Sequence, residues 1–338
     1  MTKIRSRGRL ALALTATLGA AALALSGCSG SAGGTGATGA NGLTTLKVAT
    51  IGLTSDGGLE TGITRGFFKK HGLDIETSIV ANPPAGLAAA QSGQVDIAYA
   101  PSIPLLNALS QGVPLKVVQA ADGYAAGATQ SSDPAKYDDT SLYASKASGI
   151  MSVSQLKGKT IAIPARKAQL EVVIAQTLKD AGVDPTSVNW VVLDFTSAVA
   201  ALKSGKVDAA GLVSPFGSEA QAEGAKYLAA PSIKFFGDGA VGLWTTGSST
   251  LSSKQKAIEA FQAAIKETNA YANAHAAQAT QAGLEYTKST LKLNQVIQPY
   301  WPTEVTTESL QHVDDQMVQL GYLQKPVPLT GVILKGAQ

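Results

Sequence analysis

Side chains able to grip a small polar molecule collect where short apolar runs end. Thr54, Ser55 and Asp56 follow the run from Leu46 to Ile51, and Pro101 and Ser102 follow Val95 to Ala100. Tyr124 comes after Leu115 to Ala120, Arg166 and Lys167 after Lys159 to Ile163. Asp194 and Phe195 follow the run that begins at Val188, and Ser214 and Phe216 that from Val207 to Val213. Hydroxyls and carboxylates at these points either cap a helix, satisfying its free N–H groups, or reach a guest. Asp56 in a cleft favours a cationic or hydroxyl-bearing guest. Arg166 is either a solvated side chain or a holder of anions, since guanidinium pairs bidentately with carboxylate-like groups. A charge pair at a helix start opposes the macrodipole, which makes Arg166 and Lys167 unusual there. Phe195 and Trp244 are each either core or an aromatic wall.

Other chemistries fail for want of residues. Gly34-Thr35-Gly36-Ala37-Thr38-Gly39 has dinucleotide-loop spacing but precedes the first strand instead of following one. Gly158-Lys159-Thr160 would need glycine where Val153 stands. Ser214 is no nucleophile elbow, because Leu212 and Phe216 occupy both glycine positions. His71, His275 and His312 stand alone, and Cys28 is the single cysteine, so neither a zinc site nor an intramolecular disulfide is expected. No nucleophile–base pair stands out. The chain reads as a binder of a small molecule without metal or cofactor, and not as an enzyme.

The elements that must position these residues alternate. Strands are expected at Leu46–Ile51, Leu73–Val80, Val95–Ala100 and Leu115–Ala120, with helices at Thr64–His71, Pro84–Ser92 and Ile103–Gln111 between them. Gly72, Gly93 and Gly112 follow the helices as C-terminal stops. The pattern restarts after Asp122–Ser154, a crossover holding a short strand at Leu142–Ala144. Strands at Lys159–Ile163, Val188–Leu193, Val207–Val213 and Lys226–Ala229 alternate with helices at Ala168–Ala181, Ser197–Lys203 and Glu219–Gly224. Strand, helix, strand at this spacing implies βαβ units and parallel sheets, here in two series. Gly239–Thr246 forms the return. Helices follow at Ser252–His275, Thr280–Thr287 and Thr303–Leu320.

The ends bound the compartment. Lys3, Arg5, Arg7 and Arg9 precede the apolar stretch Leu10–Leu25, then Leu25-Ser26-Gly27-Cys28. A basic start and about 16 apolar residues describe an export signal; a spanning helix needs roughly 20. The net charge of +3 comes from 27 Lys and Arg against 24 Asp and Glu. Without those four basic residues the count is 23 against 24, which leaves no basic stripe for nucleic acid. Ser29 to Gly42 holds only Ser, Gly, Ala, Thr and Asn, a flexible tether with a reach of about 20 Å. Leu-Ser-Gly-Cys resembles the lipobox of bacterial lipoproteins. That resemblance implies that Cys28 is acylated and becomes the first residue of a mature chain held at the outer face of the cell membrane.

A second resemblance rests on five phrases in order. They are Gly66-Phe67-Phe68-Lys69-Lys70-His71-Gly72-Leu73-Asp74, then Gln91-Ser92-Gly93-Gln94-Val95-Asp96 leading to Ala100-Pro101-Ser102. Gly112-Val113-Pro114-Leu115-Lys116-Val117-Val118 and Leu156-Lys157-Gly158-Lys159-Thr160-Ile161-Ala162 come next, and Ala201-Leu202-Lys203-Ser204-Gly205-Lys206-Val207-Asp208-Ala209 is last. Together they resemble the nitrate/sulfonate/taurine and thiamine-pyrimidine-precursor group of importer-linked binding proteins. The resemblance implies an α/β, type II periplasmic-binding fold: two doubly wound lobes, 44–140 plus 240–338 and 141–239, joined by a two-segment hinge. It also implies a monomer that delivers a small molecule to ABC permease subunits. A sensory receptor, or an enzyme on the same scaffold, is the alternative; the Cys-rich motif of the pyrimidine-forming enzymes is absent. Relatives carry small residues where Arg166 and Lys167 stand. Independently, open α/β sheets bind ligands beyond the carboxyl ends of their strands.

Overall fold

A computed structural model describes residues 42–338. The export segment, Cys28 and all but the last residue of the tether lie outside them. The order is β1 (Thr44–Thr50), α1 (Gly57–Thr64), α2 (Phe67–Lys70), β2 (Leu73–Ile79), α3 (Pro83–Ser92), β3 (Ile97–Pro101), α4 (Ser102–Ser110) and β4 (Leu115–Tyr124). After a crossover come β5 (Thr140–Ala144), β6 (Thr160–Ile163), α5 (Gln169–Asp180), β7 (Asn189–Val192), α6 (Phe195–Lys203), β8 (Ala209–Val213), α7 (Phe216–Ala222) and β9 (Lys226–Ala229). A second crossover carries α8 (Ser232–Phe236), and the chain ends with β10 (Gly239–Gly247), α9 (Ser248–Ala274), α10 (Ala276–Tyr286) and α11 (Thr307–Gln319).

The strands form two five-stranded sheets with one plan. The first runs β2-β1-β3-β10-β4, the second β7-β6-β8-β5-β9. In the first, β1 pairs in parallel with β2 and β3; in the second, β6 does so with β7 and β8. The sheets are mixed, however, where the alternation predicts parallel ones. β10 runs antiparallel between β3 and β4, and β5 runs antiparallel between β8 and β9. Each antiparallel strand arrives directly from the other half of the chain, so each crossover is welded into the middle of a sheet. Gly239–Gly247 is thus an interior strand, buried along almost its whole length.

Two carboxylates fasten the crossovers to each other. Asp138, before β5, accepts the Tyr124 hydroxyl (2.7 Å), the Thr140 N–H (3.0 Å) and the N–H groups of Ser232 and Ile233 (2.9 Å each). Asp238, before β10, accepts the Gly127 N–H (2.7 Å), the Thr129 N–H (3.0 Å) and the Thr129 hydroxyl (2.8 Å).

One helix departs from the sequence reading. The expected helix Thr64–His71 is broken at Gly66, whose φ of 78° lies in the left-handed region. The helix that matters, α1, lies upstream in a Gly-rich stretch. A methyl at Gly57 would overlap the Ala279 carbonyl oxygen of α10, and one at Gly58 the Trp301 indole. Glycine here lets two helix backbones touch, outweighing its cost of about 1 kcal/mol in helix propensity. Trp301 is buried and donates its indole N–H to the Ser55 carbonyl at 2.8 Å, propping the loop after β1 from behind.

Candidate functional site

In each sheet the chain order reverses beside the central strand, between β1 and β3 and between β6 and β8. Such switch points open a crevice beyond the strand ends. One cavity is lined from both: Ile51, Leu53, Pro83, Tyr99, Pro101, Asp122 and Tyr124 come from the first sheet and its loops, and Pro164, Ala168, Gln169, Leu170, Phe195 and Val213 from the second. Tyr137, Asp139 and Thr140 of the first crossover, with Gly123, Val241 and Pro299, complete the wall. It holds about 680 Å³ free of protein atoms, counting its open mouth.

Thr54 and Ser214 meet across the two halves. The Thr54 N–H donates to the Ser214 carbonyl and their hydroxyls are paired, both at 3.0 Å. Asp56 turns back to accept the Leu53 N–H at 2.8 Å and is 2% exposed. Burial raises its carboxyl to about 7, and the neighbouring Asp122 and Glu60 push the same way. Asp122, at the end of β4, accepts the Gly242 N–H at 3.0 Å and the Tyr99 hydroxyl at 3.1 and 3.2 Å. Burial raises its pKa, opposed by these bonds and by the nearby Ser55 hydroxyl. That hydroxyl is not at hydrogen-bonding geometry, and it and the Ser102 hydroxyl are buried without a partner. Burial also holds the Asp139 carboxyl well above its ordinary value, with Asp122 and Asp138 adding repulsion.

Of the residues singled out in the sequence, Pro101, Tyr124 and Phe195 line the cavity. Thr54, Ser55, Asp56, Ser102 and Ser214 are buried and outside its wall, with Ser55 and Asp56 close to Asp122. Phe216 stacks on Phe195 with ring centres 5.1 Å apart. Asp194 caps α6, accepting the Ser197 N–H at 2.9 Å. Trp244 is core: it lies edge-on to Tyr99 and Phe261, 3% exposed. Arg166 and Lys167 do not face the cleft. Glu171, in the first turn of α5, takes the Arg166 Nε at 2.7 Å and the Lys167 N–H at 2.6 Å, and both residues line a separate groove with Tyr322. Among the described residues no Lys, Arg or His lines the central cavity.

Sequence reasoning missed Tyr99, Asp122, Tyr137 and Asp139. Tyr99 was hidden in a strand with every residue buried. Asp122 lay two residues past the expected end of its strand, and an acid closing an apolar run is the signal that was available. Among the described residues no group of His, Cys, Asp or Glu can hold a metal ion, and no helix is long and apolar enough to cross a membrane.

Comparison with known proteins adds three findings. The family model described as NMT1/THI5 like matches residues 56–279. A putative ABC transporter periplasmic binding protein of Brachyspira hyodysenteriae is 29% identical over 199 residues, 55% of this chain and 53% of that protein. The chain thus spans about half the length of the curated relative it matches. Two solved structures share the fold. The alkanesulfonate-binding protein SsuA from Xanthomonas axonopodis pv. citri, bound to MOPS, superposes with a TM-score of 0.68 at 16% identity, over 86% of this chain and 98% of its own. The periplasmic nitrate-binding protein NrtA from Synechocystis PCC 6803 gives 0.68 at 15% identity, over 83% and 82%. The expected periplasmic-binding fold is the one observed.

Proposed function

Since the chain belongs to the NMT1/THI5-like family, we propose that it is an extracytoplasmic solute-binding lipoprotein of an ABC importer, capturing a small molecule and handing it to the permease. The two halves act as lobes, 44–140 plus 240–338 and 141–239. The observation that carries this reading is the single cavity lined from the switch points of both sheets. Entry of an organic guest requires the lobes to part, because Thr54 and Ser214 are bonded across them. The two crossovers, tied by Asp138 and Asp238, are where the chain can bend. A guest that touches both walls favours the closed form by its differential contacts, and closure makes the shape a permease recognises. The relatives' names speak for import; no nucleophile–base pair in the cavity speaks for chemistry. Acylation at Cys28 keeps the body near the membrane, with the Ser29–Gly42 tether as spacer.

The test is a thermal-shift panel of organic amines, sulfonates, nitrate, pyrimidines and aromatic acids against the full chain. A bound solute at 100 times its Kd adds about 2.7 kcal/mol. We expect at least one compound to stabilise the protein and to be recovered unchanged by mass spectrometry. Chemical conversion of the bound compound, or no stabilisation by any class, would defeat the reading.

A further inference from the structure

Two solved structures with this fold are named for anions, alkanesulfonate and nitrate. The cavity of this chain has the opposite character. Two carboxylates, Asp122 and Asp139, line it, and Asp56 is buried close to Asp122. Of the two lobe-II cations near its mouth by sequence, Arg166 is paired with Glu171 through its guanidinium and Lys167 lies outside the cavity wall, its backbone N–H held by Glu171. An anion placed here would find no counterion in a medium of low dielectric.

Neither carboxylate has its charge matched by the protein. Asp122 receives only neutral donors, Tyr99 and Gly242, and Asp139 has a single long contact, the Thr140 hydroxyl at 3.4 Å. Buried charges in folded proteins are paired, or they take up a proton. A second sign points into the same spot. The Ser55 hydroxyl, 5% exposed and close to Asp122, has no hydrogen-bond partner among the described residues. Around the acids stand rings: Tyr99, Tyr124, Tyr137 and Phe195. Aromatic faces attract cations as well as flat apolar surface.

We propose, resting on the capture reading above, that the solute is a small organic cation, an amine or amidinium on a flat apolar body, whose charged end is held between Asp122 and Asp139. The rings receive the body, and the Ser55 hydroxyl completes the cradle. A cation bound between them favours the charged form of carboxyls whose pKa burial raises, so its binding is linked to proton release. The groups facing these acids are Asp56 and Asp138, with Tyr99, Tyr124 and Tyr137; none is a cation, so the guest is the sole source of positive charge in the cleft.

Isothermal titration calorimetry of the full chain carrying Cys28→Ala tests this with benzylamine, benzamidine, benzyl alcohol, benzoate, benzenesulfonate, taurine and nitrate. We expect a cation of this set to bind at least ~100-fold more tightly than the anion of the same shape, since like-charge juxtaposition costs several kcal/mol. Asp122→Asn and Asp139→Asn should each weaken it at least ~30-fold, as loss of one partner of a buried charge pair does. Titration in buffers of different ionisation enthalpy should register proton release on binding. Tighter binding of benzenesulfonate, benzoate or nitrate would overturn the cation proposal and leave the capture reading standing. Binding of nothing in the set would count against both. Unchanged affinity in the Asn variants overturns the proposal; if those variants do not fold, absence of proton release from the unsubstituted site does so.

Discussion

Replacing Asp138 by Ala removes the acceptor on which both crossovers converge. Four donors lose their partner: the Tyr124 hydroxyl and the N–H groups of Thr140, Ser232 and Ile233, at 2.7 to 3.0 Å. Asp138 itself is fully buried, so water reaches the orphans poorly. At about 1–3 kcal/mol for each buried donor left unsatisfied, the loss is on the order of 4–12 kcal/mol. Part is returned, because burial raises the carboxyl from 3.8 to about 6. The folded state thus holds its proton more tightly than the unfolded one. Stability from this group is fully present below pH 4 and falls as the pH rises to about 6, by about 3 kcal/mol in all. The variant lacks that slope. Urea unfolding of both proteins at pH 4.5 and pH 7.5 should find the variant less stable at both, with the larger deficit at pH 4.5. A deficit below about 1 kcal/mol, or one larger at pH 7.5, would refute the reasoning.

Three further outcomes follow from the same geometry. Gly57→Ala should cost about 2–3 kcal/mol, read by thermal melting, because its methyl collides with the backbone of α10 and cannot be absorbed by a side chain. Asp56→Asn should flatten the pH dependence of the thermal midpoint. Asp56 rises to about 7, so the unliganded protein loses stability between pH 4 and 7, and the variant, which keeps Asp138, loses less. Tyr322→Phe deletes the 3.3 Å bond from the C-terminal segment to Glu171 of α5. It should cost no more than about 1 kcal/mol of unfolding stability yet raise the fraction of open molecules in a distance measurement between the lobes.

The fold was legible where chemistry is local. Runs such as Ile97–Ala100 and Ala209–Val213 are buried on both faces, so they read as continuous apolar strands. Gly93 and Gly182 end their helices as left-handed residues, as their positions suggest. What failed depends on partners distant in sequence. The glycines of α1 look like a loop until Ala279, Gly283 and Trp301 are beside them. The insertion of β5 and β10 into opposite sheets follows from chain tracing, which periodicity does not encode. The site was half legible for the same reason. Strand ends nominate Pro101, Tyr124 and Phe195, but only the closure of two distant segments puts Asp122 and Asp139 in one wall. Arg166 was misplaced for a local reason: Glu171, three residues past the cap position of α5, reaches back and claims it.

The central claim is that two lobes close on a guest, and Cys28 is the only cysteine, so a Cys28→Ala chain accepts two labels cleanly. Ile79 and Met151 are exposed, one on the edge of the first sheet and one in the second half. Single-molecule energy transfer between dyes at Ile79→Cys and Met151→Cys, with and without a saturating compound from the titration set, measures closure directly. The account predicts two distance populations, with the solute moving molecules into the closer one. A single distribution that ignores a demonstrably bound solute would contradict it.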